Sequence, residues 1–137
     1  MILAISGSRL FTDYKIFVEQ LDEFIKKYGK PDEIVHGGAE GADTMADKWA
    51  KENDIPIKRI RPDYNNLEMI KKYGKRAWSK MAPMLRNEDI VKYGTHLIAF
   101  PLDETLTELK SNGTLSAINH AKKQNKILKI YKVPPTK

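Results

Sequence analysis

Residues 35–53 read VHGGAEGADTMADKWAKEN, and this stretch decides how the rest of the chain is read. Three of the eight glycines, Gly37, Gly38 and Gly41, fall within five positions. The apolar run EIVH (33–36) leads into them, and Met45, Ala46, Trp49 and Ala50 follow at helical spacing. Strand, glycine turn, helix is the local order of a phosphate-binding loop. Glycines let backbone N–H groups approach phosphate oxygens, and a helix N-terminus adds partial positive charge. A plain α/β turn has the same order, and GGAEG matches neither GxGxxG nor a Walker lysine sequence. The flanking chain has to decide between them.

Upstream, ILAIS (2–6) is a short apolar run suited to a strand buried on both faces. Thr12 and Asp13 can cap a helix whose apolar positions are Ile16, Phe17, Leu21, Phe24 and Ile25, and Gly29-Lys30-Pro31 stops it. Downstream of a helix over about 42–53, IPIKRI (55–60) reads as a third strand. Pro62, Asn65-Asn66, Gly74 and Pro83 are expected to break any long helix over 61–83. A helix near 84–92 ends at Gly94, an expected left-handed C-cap. HLIAF (96–100) is a fourth strand, 101–112 a polar loop, 114–124 a helix and ILKIY (127–131) the last strand.

This alternation predicts an α/β fold: Rossmann-like, with a doubly wound, mostly parallel five-stranded sheet and helices on both faces. At 137 residues the chain is expected to be one domain spanning 1–137. Ligands on such sheets sit at the carboxyl ends of the strands, where the winding reverses. Three segments there suit an anion: Gly7-Ser8-Arg9 after strand one, His36-Gly37-Gly38 through Gly41 and Asp43 after strand two, and Gly113-Thr114 opening the last helix. Ser8 and Thr114 offer hydroxyls, and Arg9 offers a planar donor fork. Arg86-Asn87, near an expected helix start, is a further candidate, either reaching a phosphate or pairing with Glu88 or Asp89. Asp43 could take a hydrogen bond from a ribose hydroxyl or simply favour a helix start. No two of His36, His96 and His120 have metal-ligand spacing, so neither metal nor cofactor is expected.

With no cysteine, disulfides, thiolate metal sites and a cysteine nucleophile are excluded, which suits a reducing cytoplasm. No apolar run approaches the ~18 residues of a membrane span, and the start lacks the pattern of a signal peptide. No membrane partner is expected. The net charge of +6 is uneven: Leu109–Lys137 holds seven lysines and no acid, against 17 basic and 18 acidic residues before it. Such a segment can bind nucleic acid, or Lys122, Lys123 and Lys126 can simply complement a helix C-terminus.

GSR after strand one, HGGAEGAD followed by A..WA, RN ahead of strand four, AFP at its end and GT opening the last helix occur in that order. The set resembles the YspA-like branch of the SLOG superfamily, which also includes the Smf (DprA) and LOG proteins. The resemblance covers residues 2–131. It implies a Rossmann-like domain binding nucleotides or nucleotide-derived ligands of the ADP-ribose type through Ser8-Arg9, Gly37-Gly38, Gly41, Asp43, Arg86-Asn87 and Gly113-Thr114. There are departures. LOG enzymes carry a catalytic glutamate three residues after the threonine of GT, where this chain has Ala117, and their PGG is here KSN. The first expectation is therefore a nucleotide-ligand sensor, carrier or sequestering protein with no assigned catalytic residue. An N-glycosidic hydrolase and a single-stranded nucleic-acid binder are the alternatives, and a homo-oligomer stays open.

Overall fold

The computed structural model describes residues 1–101 and 112–134. Among the described residues, five strands and five helices follow in the order β1 (Ile2–Gly7), α1 (Tyr14–Tyr28), β2 (Glu33–His36), α2 (Ala42–Glu52), β3 (Ile57–Arg59), α3 (Leu67–Tyr73), α4 (Lys75–Tyr93), β4 (His96–Phe100), α5 (Asn112–Lys123) and β5 (Ile127–Ile130). The strands form one sheet in the order β3-β2-β1-β4-β5, and every pairing is parallel. The predicted α/β doubly wound fold is present, all-parallel rather than mostly so. The loop expected at 101–112 lies, apart from its two ends, outside the described residues.

The pleat sorts the core into two layers. Leu3 and Ile5 of β1 join Ile34, Ile98 and Phe100 on one face, covered by Phe17, Leu21 and Phe24 of α1 and by Met45, Ala46 and Trp49 of α2. Ala4, Val35 and Leu97 point to the other face, under Ile90 and Val91 of α4 and Ala117 and Ala121 of α5. Burying each large side chain stabilises the fold by ~1.5–3 kcal/mol. The start of α1 follows the sequence: Asp13 accepts the Ile16 N–H at 3.2 Å, a cap worth ~1 kcal/mol.

Three expectations need correction. Pro83 does not break the helix; α4 runs through it from Lys75 to Tyr93. A proline inside a helix costs ~3 kcal/mol, but Trp78, Ala82, Ile90 and Val91 are buried along α4, and the Trp78 indole donates to the Asp63 carbonyl at 2.7 Å. Tertiary packing overrides the local penalty. Gly94 does follow the helix, yet its φ of −76° is not left-handed. Its lack of a side chain serves close approach instead, since a Cβ there would lie 3.0 Å from Ala4 Cβ. Finally, β3 is shorter than 55–60 because Pro56 cannot donate, although its carbonyl still accepts the Ile34 N–H at 2.9 Å.

The sheet order reverses between β1 and β4. The carboxyl ends of those strands, with the turn after β2, are where this topology opens a crevice. No helix among the described residues is long and apolar enough to cross a membrane.

Candidate ligand site

Two glycines lock the turns at this edge together. A Cβ on Gly7 would lie 2.5 Å from Ala42 Cβ and 3.0 Å from Phe100 Cβ, so the end of β1 meets both the start of α2 and the end of β4. Gly41 has φ of 77°, and a Cβ there would fall on the Ser8 carbonyl oxygen and 2.9 Å from Arg9 Cα. Both the backbone angle and the contact demand glycine. The Ser8 N–H donates to the Phe100 carbonyl at 3.0 Å, and the buried Ser8 Oγ accepts the Leu10 N–H at 3.1 Å. The turns after β1 and β2 thus form one interlocked rim.

Behind that rim, polar side chains hold the glycine turn. Asp43 Oδ2 accepts the Gly37 N–H at 3.2 Å and the Ala39 N–H at 3.1 Å. Nδ1 of the buried His36 accepts the Gly38 N–H at 2.9 Å, so the ring's other nitrogen faces Asp47 Oδ1. Arg59 donates to the second oxygen of Asp47. These two carboxylates, one helical turn apart, are shifted in opposite directions. Burial pushes the Asp43 carboxyl up from its ordinary value, against the pull of the His36 ring, the two N–H groups and Arg86. Burial also works against Asp47, but Arg59 and His36 outweigh it and hold that carboxyl below its ordinary value. Asp43 Oδ1, though buried, has no hydrogen-bond partner among the described residues. Leaving such an acceptor unpaired costs ~1–3 kcal/mol.

Across the crevice stands Arg86. It lies in the middle of α4 rather than near a helix start, because the helix continues through Pro83. Its guanidinium donates to the Gly37 carbonyl at 3.0 Å through Nη1 and to Asn87 Oδ1 at 2.9 Å through Nε. A Cβ on Gly37 would sit 2.5 Å from that Nη1, so glycine at 37 is what admits the arginine. Burial draws the Arg86 pKa down, with Asp43 and Tyr64 opposing and Arg9 adding to the fall. Arg9 is therefore near enough to act on the Arg86 charge, as a neighbouring cation.

A cavity of about 1060 Å³ opens here. Of the expected residues, Gly7, Ser8, Arg9, Gly37, Asp43, Arg86, Asn87 and Thr114 line it. His36, Gly38 and Gly41 do not, and support the rim from behind; the exposed Gly38 turns at φ of 75° toward Arg61. Gly113 lies in the first turn of α5, and its surroundings fall outside the described residues. The sequence reading missed Lys80, Pro83 and Met84 of α4 and Ser116, Asn119 and His120 of α5, all on the cavity wall. A signal existed: Lys80, Met84 and Asn87 share a helix face at i, i+4 and i+7, as do Ser116 and His120 at i, i+4. It is visible only if α4 is carried through the proline. Ala117 is 1% exposed in the apolar layer beneath.

These features give the comparisons with known proteins a physical setting. The profile of the YspA, cpYpsA-related SLOG family matches residues 1–66. That span holds both interlocked turns and α2, whereas Arg86 and Thr114 lie beyond it. The chain is also 30% identical over 121 residues to the Gene 61 protein of Mycobacterium phage D29, covering 87% of this chain and 86% of that one. No solved structure matches. With the Ser8-Arg9 turn, the glycine loop and an all-parallel 3-2-1-4-5 sheet in one frame, the chain belongs to the YspA, cpYpsA-related SLOG family.

Proposed function

We propose that this protein binds a nucleotide or nucleotide-derived ligand in the cavity between the glycine turns and α4. Membership of the SLOG family suggests nucleotide-related binding or processing. The observation that carries the finer reading is the pairing of Arg86 on the Gly37 carbonyl with Arg9 at the same cavity. Two guanidiniums at one cavity, each a fork of N–H donors, suit phosphate oxygens. Asp43 Oδ1, buried and unpaired among the described residues, suits a neutral donor on the same ligand, such as a sugar hydroxyl. The ligand class is thus a phosphorylated nucleoside, adenine nucleotides and ADP-ribose-like compounds among them.

Thermal shift against a nucleotide panel tests this. A ligand at ~100 times its dissociation constant stabilises by ~2.7 kcal/mol. A 2′,3′-dideoxynucleotide should bind about 10- to 100-fold more weakly than the ribonucleotide, the equivalent of a hydrogen bond to a charged group. No shift by any nucleotide at millimolar concentration would remove the reading.

A second reading, cleavage of an N-glycosidic bond, is favoured by one observation: the raised carboxyl of Asp43 is what a general acid needs. The position that LOG enzymes fill with glutamate holds Ala117, which carries no proton. We expect binding without turnover. Release of free adenine from adenosine monophosphate, lost in Asp43→Asn, would reverse that expectation.

A further inference from the structure

From Met69 to Asn87 the chain carries Lys71, Lys72, Lys75, Arg76, Lys80 and Arg86 and not one acid; Glu68 and Glu88 bound the run. All but Arg86 are exposed. No ion pair engages any of these cations among the described residues. Four of them gather about the helix junction at Gly74. Lys71 and Lys72 close α3, and Lys75 and Arg76 open α4. Arg76, Lys80 and Met84 then share one face at i+4 spacing.

A shallow depression of about 510 Å³, lined by Tyr73, Lys75, Arg76 and Lys80, lies along this face. Lys80 also forms part of the wall of the larger cavity, so this basic face and the cavity that holds Arg86 share a wall residue. Two aromatic rings flank the run. Tyr73 is 42% exposed and Tyr64 49% exposed. Lys72 Nζ stands 5.3 Å from the Tyr73 ring centroid, and Tyr64 is close enough to Arg86 to influence its charge.

We propose that this α3–α4 face binds the backbone of single-stranded nucleic acid along a track leading to the cavity. Neighbouring cations meet a chain of phosphates, and exposed rings among them offer faces on which bases stack. From Lys75 to Arg86, α4 rises ~16 Å, long enough to face several successive phosphates of an extended strand. An acidic peptide would satisfy the charge but leave both rings without a flat partner. The inference goes beyond the small-ligand reading and does not require it, since Lys71, Lys72, Lys75 and Arg76 are not part of the cavity wall.

Fluorescence anisotropy with a labelled oligothymidylate of about 20 nucleotides, longer than the ~4–16 of a typical single-strand site, is the test. Binding should weaken with salt at a log–log slope of about −2 or steeper, from ~0.7 per neutralised phosphate. The triple variant Lys71→Gln/Lys75→Gln/Arg76→Gln, all exposed positions, should bind about 10-fold or more weakly at low salt with a visibly flatter slope. Its melting curve serves as the folding control. Lys122→Gln/Lys123→Gln, at the end of α5, should bind nearly as well as the unaltered chain. No binding at low salt, equal loss in both variants, or equal competition by polyglutamate of matched charge would each overturn the inference. A mononucleotide thermal shift without strand binding removes the track and leaves the cavity reading. Strand binding without such a shift does the reverse.

Discussion

The glycine turn after β2 and the helix α4 face each other across one cavity and are built in opposite ways. In the turn, His36 engages Gly38 and Asp47, Asp47 is held by Arg59, and one oxygen of Asp43 spans two N–H groups. Gly41 occupies a point where no Cβ fits, and Gly37 leaves room for the Arg86 guanidinium. On α4, only Arg86 and Asn87 are tied into this framework, while Lys80 and Met84 stay exposed on the wall. The difference teaches a division of labour: one side pre-organised by its own hydrogen bonds, the other supplying charge and apolar surface that can adjust. A turn already fixed by its own hydrogen bonds loses little freedom when a ligand arrives, whereas long exposed side chains must be ordered.

The largest expected effect comes from breaking the rigid side. Gly41→Ala drives a Cβ into the backbone of Ser8 and Arg9 at a positive φ. We expect a loss of ~4 kcal/mol or more, in the exceptional range for one substitution. Gly74→Ala, before α4, meets no atom within 4 Å and bears only the strain of φ 88°, ~1–3 kcal/mol. Urea unfolding of the two variants measures the gap; equal losses would erase the contrast.

Arg86→Ala comes next. It removes the link between the two sides and should weaken nucleotide binding about 10- to 100-fold, the range for a hydrogen bond to a charged group. Removing its two hydrogen bonds should also cost ~1–3 kcal/mol of stability. Titration calorimetry showing unchanged affinity would reduce Arg86 to a structural clamp.

A subtler test sets the two aspartates of α2 against each other. Asp47 sits below its ordinary value of 3.8 in the fold. Its stabilising contribution is present above that value and fades as pH falls through the lower folded one. Asp43 is raised from the same 3.8, so its contribution is full below that value and is lost as pH rises through the folded one. The stability difference between the unaltered chain and Asp47→Asn should therefore grow with rising pH, and that for Asp43→Asn should shrink. Two slopes of the same sign in a pH series of denaturant melts would contradict the geometry. The smallest effect is expected on the polar periphery: Lys122→Gln/Lys123→Gln should change stability by no more than ~0.5 kcal/mol per site.

Much of this molecule is legible in its sequence, and the legible parts share a cause. The runs 2–6, 33–36 and 96–100, the Asp13 cap and the turn through Gly37, Gly38 and Gly41 are decided by residues within a few positions of one another. Local periodicity, capping and the freedom of glycine suffice to place them. From these follow the order of strands and helices and the sheet edge at which this topology opens a crevice. The α4 region was misread because its determinants are distant. Gly74 does separate α3 from α4, but Pro83 looks like a break until Trp78 reaches Asp63 and Ile90 and Val91 reach the sheet. Gly94 looks like a left-handed cap until Ala4, ninety positions earlier in the chain, is found against it. The sequence places His36 beside the glycine turn, and only the fold shows its ring engaged by the Gly38 N–H and Asp47. Nor does the sequence reveal that Arg86 lies on the carbonyl of Gly37, that Asp43 keeps one buried oxygen unpaired among the described residues, or that Lys80 joins the cavity to the basic face. Hydrophobic period and turn chemistry act over one or two turns of chain. Burial, pairing and close backbone approach come into being only when segments far apart in sequence are brought together by the core.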